Sequence, residues 1–500
     1  MNMDHLLFRR QFFLSPQPVS LFPSWKVEEL PDGYHITAHP DLKITRFKSA
    51  IFDVTLLGYI LDPQSPLQSD SEILEKKAAS VSSINDLIAS FYDCAGRYVC
   101  IVFMGRKLYI FSDTLGFRTV YYRTIDQHLW CASQPSLLGE YFNLKPDQEI
   151  EDDLKNVKMW SSRTEYWYPG TFSAYKDISR LLPNHFLDCK QSSQIRYWPA
   201  ASLKSLTIEE CIEESSGLLE KTMECASKRF DLEVAVTSGL DSRMVLAGCH
   251  SIRRHPEFFT HTHPSLSIEG ADIRIPSMMC QQLGLEHKII RHSEMIDSEF
   301  ERILKRNVTN ARSTKVTNAF TIYNHFLSAN KERVVVHGVP GEIARNFFYK
   351  PVMIPLDVKF LLYQSGMGQS RIARTTFDSW LSEVKKIPEN KGVKILDLFY
   401  WEQRIGGWAS MSYNEYDIAF ESFTPFSCRK LLTSMLGVES HHRIAPHFTL
   451  QRGIIHRLWP ELLQFEINPA ETISKSIRNL LKHTPIYKVC KTISYLKRAM

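Results

Sequence analysis

The stretch EVAVTSGLDSRMVLAG, Glu233 to Gly248, gathers Thr237, Ser238, Gly239, Asp241 and Ser242 into one short polar interruption of an apolar run. Hydroxyl groups and backbone amides donate hydrogen bonds, and a glycine lets the main chain approach an anion closely. Such a cluster suits phosphate oxygens. Asp241 would repel a bare phosphate, so its presence implies a cation, and Mg2+ is the ion that joins carboxylates to nucleotide phosphates. The chemistry indicated is the holding of a phosphate-bearing ligand, with a plain strand-to-helix turn, a small residue and a cap, as the alternative. The Walker spacing G-x-x-x-x-G-K-S/T occurs nowhere in the chain.

Holding those residues requires a strand before the turn and a helix after it. LEVAVT reads as a buried strand, TSGLDS (Thr237 to Ser242) as the turn, and RMVLAG as the first turns of a helix. In an open α/β sheet, ligands bind outside the carboxyl ends of the strands, where a helix N-terminus favours negative charge. The surroundings have the matching rhythm. Ser205 to Phe230 has apolar residues at helical spacing behind a Ser/Thr-then-Glu start. PEFFTHTH (Pro256 to His263), a helix through ADIRIPSMMCQQLG, EHKIIRHS (Glu286 to Ser293), further helix to about Ala329 and RVVVHG (Arg333 to Gly338) follow. This alternation predicts an α/β domain with a doubly wound parallel sheet, extended by mostly helical sequence from about residue 355.

The first part of the chain has a different pattern. Short β-rich runs lie close together at Tyr34 to His39, Ile51 to Ile60, Tyr98 to Met104, Lys107 to Asp113, Thr119 to Arg123 and His128 to Ser133. Such spacing predicts antiparallel hairpins in an α+β sandwich. A chain of 500 residues exceeds what one core usually organises. Two domains are therefore expected, 1–200 and 201–500.

Composition excludes several classes. With 44% hydrophobic and 23% charged residues the chain is an ordinary globular one, and a net charge of +5 does not call for nucleic acid. The ten cysteines form no C-x-x-C pair, which fits thiols in a reducing compartment, and a cytoplasmic location is expected. FRRQFFL (Phe8 to Leu14) carries a twin arginine, but the SPQPVSLFPSW that follows breaks any apolar signal core. No run approaches the ~18 apolar residues of a membrane span. His441, His442 and His447 invite a metal reading, yet an adjacent pair shares no helical face and no acidic ligand is spaced with them. The tail from Lys475 to Met500 is basic without an acid, as a solvated helix or a surface-binding amphipathic one would be.

The turn Thr237 to Ser242 resembles the pyrophosphate loop S-G-G-x-D-S of the N-type ATP pyrophosphatases, with Thr237 for the first Ser and Ser238 for the first Gly. With EGADIRIPSMMCQQLGLEHKII (Glu269 to Ile290), the chain resembles the asparagine synthetase family. VVVHGVPGEIARNFFY (Val334 to Tyr349) stands where that family has its second loop, S-G-E-G-A-D-E-L-F-G-G-Y. SDTLGFRTVYYR, CASQPSLL and LPNHFLDCKQSSQIRYW look like successive landmarks of the class II glutamine amidotransferase domain fused in front of those synthetases.

The resemblance implies ATP-dependent, AMP-forming amide synthesis through an acyl-adenylate. It implies Thr237, Ser238, Gly239, Leu240, Asp241, Ser242, Gly341 and Arg345 around ATP, Asp241 and Glu342 on Mg2+, and Asp241, Glu342 and Lys475 in catalysis; a surface salt bridge is the other reading of Arg345. The implied partners are a small-molecule carboxylate and ammonia or an amine donor; a homodimer is a possible assembly. Arg404, in the segment resembling the wall of the acceptor pocket, reads either as a carboxylate ligand or as a helix-face cation.

Departures from the family matter equally. Its amidotransferase nucleophile is a cysteine directly after the initiator Met, whereas this chain opens Met1-Asn2-Met3-Asp4-His5 and its first cysteine is Cys94. No glutaminase is expected. His337, Val339 and Pro340 replace the Ser, Glu and inner Gly of the second loop, while Glu342 keeps a carboxylate at the metal-binding position. Those changes leave a nucleotide-binding pseudo-enzyme as the alternative. A tRNA thiolase is disfavoured by the absence of paired cysteines.

Overall fold

The computed structural model describes residues 3–157, 166–252, 256–263, 269–308, 316–329, 333–348, 350, 354–387 and 392–469. The amino-terminal part builds two antiparallel sheets from twelve strands. They are β1 (Phe12–Ser15), β2 (Lys26–Glu29), β3 (His35–Ala38), β4 (Ile44–Lys48), β5 (Asp53–Leu61), β6 (Ala95–Met104), β7 (Lys107–Ser112), β8 (Tyr121–Ile125), β9 (His128–Ala132), β10 (Ser179–Arg180), β11 (His185–Asp188) and β12 (Ser193–Arg196). One sheet runs β10-β8-β9-β1-β3-β2, the other β12-β11-β7-β6-β5-β4.

Facing residues of the two sheets, among them Phe12, Leu14, Val99 and Ile101, share one core. The outer face of the second sheet, with Val54, Cys100 and Val102, is covered by the helices Asp70–Ala78 and Ile84–Ser90. Phe13 and Ala132, on the outer face of the first, join a core with Leu137 and Leu154 of the helices Pro135–Tyr141 and Gln148–Lys155. Because β5 and β6 are covered on both faces, their sequences read as nearly continuous apolar runs.

The carboxyl-terminal part has one parallel sheet, β13 (Leu232–Ala235), β14 (Glu257–His261), β15 (His287–Ile290), β16 (Val334–Val336) and β17 (Glu421–Phe423), in the order β15-β14-β13-β16-β17. Helices cover both faces. The long helix Ile208–Arg229, which enters through a Thr207/Glu210 capping box, lies in the core with Val234 and Val336. The helices Ser298–Asn307 and Val316–Ala329 bury Phe259 and Val335 on the other side. The strand order reverses between β13 and β16, so the loops after these two strands leave on either side of a topological switch point.

The sandwich and the parallel sheet are joined through buried charge. Arg97 of β6 reaches Asn414 and Asp417, and with Arg118 it pairs to Glu421 on β17. Arg10 donates to the Asp417 carbonyl and Arg9 to those of Ile418 and Ala419, so both members of the twin arginine are internal ties. Burial alone would raise the Glu421 carboxyl, but Arg118, Arg97 and Arg10 together hold it down to about 2. A second tie sets Glu402 against Arg196, Trp380 and Asn184.

Candidate functional site

The chain leaves β13 through Thr237 to Gly239 and enters the helix Leu240–Ala247, so Asp241 and Ser242 occupy its first turn, not the connecting turn before it. No side chain caps that helix, which leaves its leading amides facing the loop. Within the loop, the Thr237 and Ser242 hydroxyl oxygens lie 2.9 Å apart and the Gly239 amide donates to Thr237 Oγ1. The Ser238 amide and hydroxyl both donate to Asp272 Oδ1, at 3.0 and 2.6 Å. Arg243, fully buried one residue past the loop, donates to the carbonyls of Leu462, Phe465 and Glu466, and the Asn468 amide donates to the Ser238 carbonyl. Burial lowers the Arg243 guanidinium, with help from Arg452, only to about 10, so a positive charge stands behind the turn at neutral pH.

The second loop follows β16 and contains the 3-10 turn Gly341–Arg345. It lies directly on the first. A Cβ at Gly341 would stand 2.6 Å from Asp241 Oδ1, and one at Gly338 would stand 2.6 Å from the Ser242 nitrogen. Arg345 Nη2 lies 2.7 Å from Asp241 Oδ2 and 3.3 Å from Glu342 Oε1. Burial pushes the Asp241 carboxyl up to about 8, against the pull of Arg345 and with a push from Glu342.

Between the two loops is a cavity of about 400 Å3. Thr237, Gly239, Leu240, Asp241 and Ser242 line it from one side and Glu342 and Arg345 from the other. Ser238 stands behind the loop on Asp272, and Gly341 packs against Asp241. Lys475 lies outside the described residues. The cavity also takes in Asp272, His261, His263, His337 and Asn468, none of them on the expected site. The signal for the histidines was their place at the carboxyl ends of β14 and β16. Desolvation lowers His261 to about 4 and His337 to about 3, so both imidazoles are neutral at physiological pH. His337 Nε2 is buried with no hydrogen-bond partner among the described residues.

Mg2+ was expected between Asp241 and Glu342. Asp241 Oδ1 and Glu342 Oε2 are buried acceptors without hydrogen-bond partners, which an ion could satisfy. Their other oxygens, however, converge on one nitrogen of Arg345, so a guanidinium holds the place between the carboxylates. Among the described residues, no group of three or more His, Cys, Asp or Glu is arranged to hold a metal ion. The residues as they stand do not fit a Mg2+ ion held by the protein itself. The same holds at His441 and His442, where His441 pairs with Glu439.

Beside Arg345 runs the π-helix Tyr400–Ala409, a rare winding that often marks functional sites. Its Tyr400 stacks on Phe347 at 4.5 Å. Arg404 is 8% exposed, with its guanidinium 4.8 Å from the Trp408 ring, 5.5 Å from Trp167 and 5.8 Å from Phe347. It is thus a buried, ring-flanked cation and not one on a solvated helix face.

No protein-family model matches this chain, and no curated protein matches it. Among solved structures it is similar to the glutamine phosphoribosylpyrophosphate amidotransferase from B. subtilis complexed with ADP and GMP, with 11% identity over 69% of this chain and 73% of that one and a TM-score of 0.24. It is also similar to the U34-tRNA thiolase NcsA from Methanococcus maripaludis with its iron–sulfur cluster, with 12% identity over 58% of this chain and 80% of that one and a TM-score of 0.22. Superpositions this loose carry no argument about activity. Among the described residues, no helix is long and apolar enough to cross a membrane.

Proposed function

We propose that this chain is an ATP-dependent, AMP-forming amide ligase that works through an acyl-adenylate, with a sandwich domain over 1–200 and a synthetase domain over 201–500. The observation that carries this reading is the convergence of the loops after β13 and β16, at the sheet's switch point, on one small-molecule-sized cavity.

In this reading the first-turn amides and the hydroxyls of Thr237 and Ser242 hold the pyrophosphate portion of ATP, while Ser238, its hydroxyl given to Asp272, holds the loop in place. A carboxylate oxygen of the acyl substrate attacks the α-phosphorus, the bond from that phosphorus to the bridging oxygen breaks, and pyrophosphate leaves. Ammonia or an amine then attacks the acyl carbon, AMP departs with the carbon–oxygen electron pair, and the nitrogen loses a proton. The protein contributes orientation, positive charge where pyrophosphate charge grows, and exclusion of water. Lys475 is proposed as a further charge at the condensation step.

Glutamine hydrolysis is not part of this proposal. All nine described cysteines are buried, and desolvation pushes Cys94, Cys100 and Cys131 well above the ordinary thiol range. A second reading, a nucleotide-binding protein without catalysis, is favoured by the Arg345 pairing that occupies both loop carboxylates. Product analysis separates the two. AMP and pyrophosphate formed in step with added carboxylic acid support the ligase, whereas ADP and phosphate would contradict adenylation and bound but unchanged ATP would favour the second reading.

A further inference from the structure

The second loop holds Arg345 as a fixed feature of the site. Ile343 and Ala344 are buried, the Ala344 carbonyl accepts from Gln451, and the Val339 carbonyl accepts from the Tyr413 hydroxyl. Asn346 then turns into the left-handed region at φ 47°, ending the turn at Arg345. The guanidinium therefore swings from a backbone tied on both sides. Its side chain is 17% exposed, and its Nη2 sits between Asp241 and Glu342.

A guanidinium carries five N–H donors in a planar fork suited to phosphate oxygens. Nη2 serves the two carboxylates, and Nε is buried without a partner. Donor capacity remains for an incoming anion in the same cavity. A divalent ion bound by both carboxylates would have to share their small gap with this cation, and like charges at that range oppose each other.

We propose that Arg345 is the resident cation of the site: it bridges Asp241 and Glu342 and meets the pyrophosphate oxygens itself, so that a polyphosphate binds without a divalent ion held by the protein. The proposal rests on the reading of the cavity as a nucleotide site. It makes Arg345 a binding residue specific for the polyphosphate portion of the ligand, and it accounts for a second loop in which an arginine stands beside the single carboxylate.

The test is calorimetric titration of the full chain with inorganic pyrophosphate and with ATP, each in excess EDTA and in excess Mg2+, for the wild type, Arg345→Lys and Arg345→Met. The wild type is expected to bind in EDTA within about threefold of its affinity in Mg2+, a difference near RT. Arg345→Met should lose about tenfold to hundredfold in EDTA, the scale of one charge-assisted contact, and regain part of it in Mg2+ once the carboxylate pair is open to an ion. Arg345→Lys should retain most of the metal-free binding.

Loss of wild-type binding by more than about tenfold in EDTA, or an Arg345→Met variant that binds as tightly as the wild type without metal, would overturn the proposal while leaving the nucleotide reading intact. A folded wild type that binds neither ligand in either condition would overturn both. Circular dichroism checks each variant's fold. If Arg345→Met does not fold, the wild-type comparison and Arg345→Lys still decide.

Discussion

Asp241 offers a sharp test of the site's electrostatics. Its carboxyl is raised from 3.8 to about 8, chiefly because burial strips water from the charged form. Between those values the folded chain keeps the proton and the unfolded chain releases it. The native state therefore binds more protons, and its stability, fully present below pH 3.8, declines as pH rises toward 8. A shift of about four units corresponds to an upper limit on the order of 5 kcal/mol.

Asp241→Asn keeps the shape and has no proton to lose. Urea unfolding of both proteins between about pH 5 and pH 8 should show the wild type losing up to about 4 kcal/mol more than the variant over that range. A wild-type-minus-variant difference that stays flat, or that turns in favour of the wild type as pH rises, would refute the reasoning. It would mean that the ion pair to Arg345 outweighs desolvation and holds the carboxyl low.

Other perturbations probe the supports. Gly341→Ala would drive a methyl group to 2.6 Å from Asp241 Oδ1 and push the carboxylate off Arg345; calorimetry should show ATP affinity reduced about tenfold with the circular dichroism spectrum unchanged. Arg97→Met would leave Asp417 without its main cation and Glu421 with Arg118 and Arg10 only, and urea unfolding should record a loss of about 3–5 kcal/mol. Because Glu421 is depressed to about 2, its share of stability is present above its ordinary 4.5 and is lost as pH falls through that interval, so the cost of the Arg97 substitution should shrink in acid. Purified full-length chain given glutamine should release no glutamate in an enzyme-coupled assay, since its described thiols are buried and hard to ionise.

Much of the architecture was legible because it is local. The β-rich runs of the first part supply β3 and β5 to β9, and the capping-box helix begins where its Thr207 and Glu210 predict. β1 was not legible. Phe12–Ser15 follows Arg9 and Arg10 and reads like the start of a signal segment, and only its pairing with β3 and β9 explains why it is apolar on both faces. β17 is three residues between helices, too short for any period to register, yet it closes the parallel sheet and carries Glu421 to the buried arginines. Lys26–Glu29 is polar and half in water at a sheet edge, so hydrophobic patterning passes over it.

The candidate site divides the same way. Thr237 to Ser242 are contiguous and could be read together, whereas Asp272 and Asn468 arrive from distant segments and are recognised only by their contacts to Ser238. Asp241 and Glu342, paired on sequence as metal ligands, line one cavity. Sequence could not show that both would turn to Arg345, because residue types do not reveal side-chain direction.

Adenylation separates a ligase from a binding protein, and ATP–pyrophosphate exchange reports on that step alone. Labelled pyrophosphate would be followed into ATP across a panel of carboxylic acids that includes aspartate and uronic acids, with Asp241→Ala as the control. Exchange should depend on one class of acid and disappear in the control. ATP that binds while no acid in the panel supports exchange, or exchange that persists undiminished in Asp241→Ala, would contradict adenylation at this site.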